Sequence, residues 1–206
     1  MRIIETEFKN IINNKQFQNI KTKINFDKSI RQTNFYYDTK QYSLQKKRIG
    51  LRIRVFYNNA EETIKIPSSN NLSYLNKHEL TEITVDLDKQ NAMNLIKANK
   101  IFKEKKINTI LKQNNINIDN LKIIAYATTK RFIKYLSFGS LVLDKTYYPN
   151  KKYDYELELE FNNDKFNIAK SFFNNLLNKF NISKNISENK MKRAIKNSNN
   201  HIINIF

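Results

Sequence analysis

The sequence predicts an α+β fold, a closed eight-stranded antiparallel β-barrel with helices packed outside. Three observations lead there. About eight segments alternate apolar and polar residues with period two, the mark of strands with one covered face. Helical periodicity is confined to three places. Several strands are charged on one face and apolar on the other, and closing such a sheet removes its exposed edges.

Residues Arg2 to Lys9 alternate as a first strand, and Ile11, Ile12, Phe17 and Ile20 suggest a short amphipathic helix after it. A strand ending in Asn34-Phe35-Tyr36-Tyr37-Asp38-Thr39 follows, then a polar loop and the strand Leu51 to Phe56. In the latter, Leu51, Ile53 and Val55 share one face while Arg52 and Arg54 share the other. Asn58-Asn59 reads as a turn. The returning strand Glu61 to Ile66 then puts Ile64 and Ile66 on one face, with Thr63 and Lys65 on the other. A further strand spans roughly His78 to Leu87, and Asp88 caps a helical period at Ala92, Leu95 and Ile96. A second helical pattern runs through Phe102, Ile107, Ile110 and Leu111, ending in an Asn-rich loop from Gln113 to Asn120. Three strands follow, Leu121 to Leu136, Ser140 to Tyr147 and Tyr153 to Phe161, divided by Gly139 and by Pro149-Asn150. Asp164 opens a helix with Ala169, Phe172, Phe173, Leu176, Leu177 and Phe180 as its apolar stripe, and Ser187-Glu188 opens a short basic helix carrying Lys190, Lys192 and Arg193.

No break in composition divides the chain of 206 residues, so residues 1–197 read as one domain and residues 198–206 as an apolar tail. A hydrophobic content of 40%, with 14 Phe and 11 Tyr, is enough for a substantial core. The formal charge of +18 calls for polyanionic company: nucleic acid, an anionic membrane surface or a phosphorylated small molecule. A drift toward Lys, Asn and Ile along the whole chain contributes to that excess. Absences narrow the chemistry further. No Cys and only His78 and His201 exclude thiol nucleophiles, disulfides and the common zinc motifs. With Gly50 and Gly139 alone, no glycine-rich phosphate loop can be written. Asp, Glu, Lys, Arg and Tyr with a metal are left to do any chemistry. The start of the chain lacks signal-peptide character and no run approaches the ~18 apolar residues of a membrane span, so a soluble, cytoplasmic protein is expected.

The segment Tyr153 to Phe161 places Asp154, Glu156, Glu158 and Glu160 on a single strand face. A solvated sheet face explains such a stripe in most proteins, but here it runs against a strongly basic composition. Glu5-Thr6-Glu7-Phe8-Lys9 repeats the pattern near the N-terminus. If apolar faces pack outward against helices, then Glu5, Glu7, Lys9, Arg52, Arg54, Lys65, Asp144, Glu156, Glu158 and Glu160 point inward. An interior lined by acids and bases is too costly for a core and suits a solvated tunnel for an anion and its metal.

These segments resemble, in order, those of the CYTH domains, the triphosphate tunnel metalloenzymes. Glu5 to Lys9 is similar to the family's ExExK, Asn34 to Thr39 to its N-x-Y-[FY]-D-T, Gly50 to Arg54 to its G-x-L-R-x-R, and Thr63-Ile64-Lys65 to its T-x-K. Thr129-Lys130-Arg131, Leu143-Asp144, Tyr155 to Glu160 and the basic helix Lys190 to Arg193 continue the match over nearly the full length. The resemblance implies a metal-dependent hydrolase of a triphosphate. Glu5, Glu7, Glu156, Glu158 and Glu160 would hold Mg2+ or Mn2+. Lys9, Arg52, Arg54, Lys65, Arg131 and Lys190 would bind the triphosphate, with Lys130 and Lys134 as alternatives to Arg131. Glu5, Glu7, Lys9 and Asp144 would act in catalysis, Glu79 would support them, and Asp154 would lie at the rim.

Inorganic tripolyphosphate is the preferred substrate, since no segment offers a platform for a base. Thiamine triphosphate or a nucleoside triphosphate, and cyclisation of ATP as in class IV adenylate cyclases, would use nearly the same cradle. A non-catalytic module binding polyphosphate or RNA is the competing class, although nucleic acid is not the expected partner. On the plainer alternatives, Arg52 and Arg54 form a solvated strand face, Lys190 and Arg193 are surface charges, Asp144 is a turn or ion-pair residue, and the histidines only pack.

Overall fold

The structure is a computed structural model and describes residues 2–67, 78–185 and 188–198, without the side chains of Arg2, Ile3, Glu5, His78 and Glu79. The apolar tail expected from His201 to Phe206 and the helix start expected at Ser187 lie outside the described residues.

The strands in chain order are β1 (Arg2–Ile12), β2 (Lys28–Asp38), β3 (Gly50–Val55), β4 (Asn59–Pro67), β5 (His78–Asp88), β6 (Lys122–Leu136), β7 (Gly139–Tyr147) and β8 (Tyr153–Phe161). All pairings are antiparallel, in the order β1-β5-β4-β3-β2-β6-β7-β8, and β1 bonds both β5 and β8, so the two ends of that order meet. Gly139, at the start of β7, is set by close approach: a Cβ there would fall 2.0 Å from the Glu160 carbonyl oxygen.

The helices are α1 (Asn14–Lys23), α2 (Ser43–Lys46), α3 (Lys89–Lys97), α4 (Lys105–Gln113), α5 (Phe166–Lys179) and α6 (Lys190–Ser198). Ile11 and Ile12, read from sequence as helical, belong to β1 instead. Asn13 explains the change: with Gln16 it forms a capping box, so the helix starts one residue later. The short α2 was not foreseen and depends on Asp38, whose carboxylate accepts the Leu44 and Gln45 amides at 2.8 and 3.0 Å. Asp88 caps α3 as expected, accepting the Asn91 amide at 3.0 Å.

Period-two alternation sorts the side chains. On one side of the barrel Phe35, Tyr37, Leu51, Ile53, Ile64, Ile83 and Leu87 point outward and pack with Leu44 of α2, Ala92 and Ile96 of α3 and Ile107 and Leu111 of α4. On the other, Phe8, Ile12, Leu141, Leu143, Tyr155, Leu157 and Leu159 pack with Phe17 and Ile20 of α1 and Ala169, Phe173, Leu176 and Leu177 of α5. The helix α6 differs. Its Ala194 and Met191 pack with Tyr36, Ala125 and Ala127, which lie on the inward faces of β2 and β6, so it sits across one part of the interior. Among the described residues no helix is long and apolar enough to cross a membrane.

Candidate active site

The inward faces carry two charged groups. The first gathers on β1, β6, β7, β8 and α6. Antiparallel register sets Asp144 opposite Glu156, Lys9 opposite Glu158 and Glu7 opposite Glu160. Asp144, Glu156 and Glu158 are all buried, and each offers a carboxylate oxygen within 4.8 Å of the others. Like charges that close repel strongly away from water, and cations from two further elements answer them. Arg131 on β6 forks onto Asp144, with Nε and Nη2 donating at 2.9 and 2.8 Å, while Nη2 also reaches Glu158 at 2.6 Å and Nη1 reaches Glu160 at 3.3 Å. The Lys190 ammonium on α6 lies 2.5 Å from Asp144, 3.1 Å from Glu156 and 3.3 Å from Glu158. It stands where a cation bridging the three carboxylates would stand.

Arg193, one helical turn further, donates to Asp154 at 2.8 Å and to both oxygens of Glu156 at 3.2 and 2.8 Å. The Tyr148 hydroxyl donates to the same Asp154 oxygen at 2.5 Å. Lys9 donates to Glu7 at 2.7 Å. Burial and neighbouring charges oppose one another in this group. Burial works to raise the Glu158 carboxyl, yet Lys190, Arg131 and Lys9 hold it well below the usual carboxylate range. Burial likewise opposes the Lys190 and Arg131 charges, but Asp144 and Glu158 hold both cations well above their ordinary values.

The second group lies on β2 to β5. Arg54 donates to Asn34 and to Glu61, each at 2.9 Å. Arg52 lies 4.0 Å from Glu61 and 4.0 Å from Glu82, and Lys65 pairs with Glu82 at 2.9 Å. Against burial, Lys65 and Arg52 hold the Glu82 carboxyl down to about 2. Arg54 is pushed below the usual arginine range by burial first, then by Arg52, with Arg131 adding to the effect. Both groups lie on strand faces turned to the same side of one ring of paired strands, so they share one interior.

The structure therefore brings together Glu7, Lys9, Arg131, Asp144, Glu156, Glu158, Glu160 and Lys190 on one side, and Arg52, Arg54 and Lys65 on the other. Of the three basic candidates on β6, Arg131 is the inward one. Lys130 lies over the outward Phe132 ring and Lys134 pairs with Asp27 at 2.8 Å. Glu5 and Glu79 are placed only by their backbones, opposite Leu80 and Thr6, and their side chains lie outside the described residues. Sequence reasoning missed Glu61 and Glu82 as interior acids and gave Arg193 no role. The signal for the first two was parity, since Glu61 shares a face with Thr63 and Lys65, and register places Glu82 opposite Lys65.

A barrel of antiparallel strands whose interior pairs buried carboxylates with Arg and Lys defines a class of protein with an ionic rather than an apolar interior. The model of the CYTH domain matches residues 3–195, and the chain belongs to that family. It is 29% identical over 192 residues to "Putative triphosphatase YjbK" of Bacillus subtilis, spanning 92% of this chain and 93% of the relative. A crystal structure described as a putative adenylate cyclase from Bacillus halodurans superposes with a TM-score of 0.80 at 27% identity, covering 93% of this chain and 97% of that one. A Hippeastrum protein, described as a putative adenylyl cyclase with a dominant triphosphatase activity, shares the fold with a TM-score of 0.76 at 17% identity, over 93% and 95% of the two chains.

Proposed function

We propose that the chain is a divalent-metal-dependent triphosphatase, a phosphoanhydride hydrolase that takes inorganic tripolyphosphate in preference to thiamine or nucleoside triphosphates. One observation carries the reading: three buried carboxylates within 4.8 Å of one another share an interior with Arg52, Arg54, Lys65 and Arg131. Removing so many charges from water costs several kcal/mol per ion, which makes sense for an interior that exists to receive an ionic ligand.

The all-oxygen donor set of Asp144, Glu156 and Glu158 fits a hard cation, and the Lys190 ammonium already rests among the three. These residues would hold Mg2+ or Mn2+, with Glu7, Glu160 and Glu5 as further donors. When bound, such an ion neutralises phosphate charge and acidifies water. Arg52 and Arg54 offer planar forks for two phosphate oxygens each, while Lys65 and Lys9 act as point charges. Water attacks the terminal phosphorus; its oxygen bonds to phosphorus as the bridging P–O bond breaks. A Glu7 carboxylate oxygen accepts the water proton, with Lys9 holding that side chain in place at 2.7 Å. Orthophosphate and pyrophosphate leave.

The likeness to a structure described as a putative adenylate cyclase favours one second reading, cyclisation of ATP with release of pyrophosphate. Incubation with tripolyphosphate, thiamine triphosphate and ATP, each with Mg2+ or Mn2+, separates the two. The proposal expects orthophosphate, fastest from tripolyphosphate; pyrophosphate and cyclic AMP from ATP alone would favour the cyclase, and no turnover at all would refute both.

A further inference from the structure

Beside α1 the two helix layers leave a strip of the outer barrel where Arg31 and Lys130 are exposed and Lys145 is half-buried, and that strip carries an unusual row of charges. Register places Arg31 of β2 directly opposite Lys130 of β6, and Lys130 directly opposite Lys145 of β7. Three cations thus lie abreast across three neighbouring strands, on the face opposite Arg131 and Asp144. Like charges directly opposite one another in an antiparallel pair are destabilising. Among the described residues, no carboxylate forms an ion pair with Arg31, Lys130 or Lys145. Next to this row stand Thr33 and Thr128 on β2 and β6, and aromatic residues on β7 and β8. The Lys145 ammonium lies 5.0 Å from the ring centre of Tyr147 and 4.7 Å from that of Tyr153, both exposed, at 43% and 54%. Those two rings have centroids 6.4 Å apart and are tilted by 57° to one another.

We infer that this outer strip binds single-stranded nucleic acid, with Arg31, Lys130 and Lys145 along the phosphates and bases stacked on Tyr147 and Tyr153. The chemistry chooses this occupant. Cations alone would suit any polyanion, but exposed aromatic faces beside them match the stacking platforms of sequence-tolerant single-strand binders. Inorganic polyphosphate has nothing to stack, whereas a single strand brings a phosphate and a base at every nucleotide. The inference does not depend on turnover in the tunnel, because the strip lies on the opposite face of the sheet.

The test is fluorescence anisotropy with a fluorescein-labelled oligouridylate of about 16 nucleotides, the upper span of one such surface, over a range of salt. In the wild type, affinity should fall with salt. The pair Arg31→Gln and Lys130→Gln should lower the slope of that dependence by about 1.4, at roughly 0.7 per phosphate contact. Tyr147→Ala with Tyr153→Ala should weaken binding at least ~5-fold, the low end for one stacked base, while Tyr147→Phe with Tyr153→Phe should keep it. Each variant should retain wild-type triphosphate turnover, and the Gln pair should melt no lower than the wild type. Absence of oligouridylate binding, binding indifferent to the alanine pair, or equal competition by linear polyphosphate would overturn the inference.

Discussion

The Lys190 ammonium lies 2.5 Å from an Asp144 oxygen, joining α6 to β7 across 46 residues of sequence. Through that contact, and those to Glu156 and Glu158, one lysine touches all three buried carboxylates and shares their compensation with Arg131 and Arg193. The helix α6 is thereby tied to the site it covers.

Lys190→Ala removes that counter-ion and leaves the three carboxylates to Arg131 and Arg193 alone. Breaking a buried pair by deleting one partner costs about 3–5 kcal/mol, so the variant should melt well below the wild type in EDTA. Mn2+ should recover most of the loss, because a divalent ion among the same carboxylates replaces the missing ammonium. Thermal melts with and without Mn2+ check both halves.

Arg131→Lys keeps the charge and loses the fork. The guanidinium holds both oxygens of Asp144 and one of Glu158 at once, at 2.9, 2.8 and 2.6 Å, which a single ammonium cannot reproduce in that geometry. Loss of one charge-assisted hydrogen bond is worth about 1.5–3 kcal/mol, so kcat/KM for tripolyphosphate should fall about 10- to 100-fold. Steady-state kinetics measure this directly.

Glu62 is a buried acid outside the tunnel. It points outward from β4 into the packing with α3 and α4, where the Phe102 amide donates to Oε2 at 2.6 Å and Oε1 has no partner. The Tyr37 hydroxyl, also unpartnered, and the Glu104 carboxylate are the other ionisable groups acting there. Burial pushes the Glu62 carboxyl up from 4.5 to about 8. Between those values the folded chain keeps a proton that the unfolded chain loses, so this group's contribution to stability falls as pH rises from 4.5 through about 8. Glu82 acts in the opposite sense: held down to about 2, it stabilises above 4.5 and loses that contribution as pH falls toward 2. Glu62→Gln should therefore flatten the fall between pH 4.5 and about 8, leave the acid limb below 4.5 unchanged, and exceed the wild type in stability near pH 8, as urea melts across pH would show.

Much of this was legible in the sequence where one strand carried its own contrast. Tyr153 to Phe161 and Leu51 to Val55 alternate so cleanly that their inward faces could be assigned without a partner strand. Glu61 and Glu62 obey the same parity, Glu61 with Thr63 and Lys65 and Glu62 with Ile64 and Ile66, but they hide it. Two adjacent acids on β4 point to opposite faces, one onto Arg54 and the other into the apolar layer, so an acid on each face blurs the contrast that marks the other strands. Arg193 was opaque for a different reason: a basic residue on a short helix looks solvated until α6 is known to cross the interior. The start of α1 was misread because Ile11 and Ile12 satisfy a helical period as well as a strand's, and the Asn13 cap outweighed it.

The central claim is that the Asp144, Glu156 and Glu158 cluster makes triphosphate hydrolysis depend on a divalent ion. The most direct measurement is orthophosphate release from tripolyphosphate by the wild type and by Glu158→Gln, each titrated with Mn2+. The account predicts turnover that vanishes in EDTA, and a variant that folds but loses more than about 100-fold in kcat/KM, beyond the usual effect of removing an outer partner of a metal ligand. Turnover that persists in EDTA, or a folded Glu158→Gln protein as active as the wild type, would contradict it.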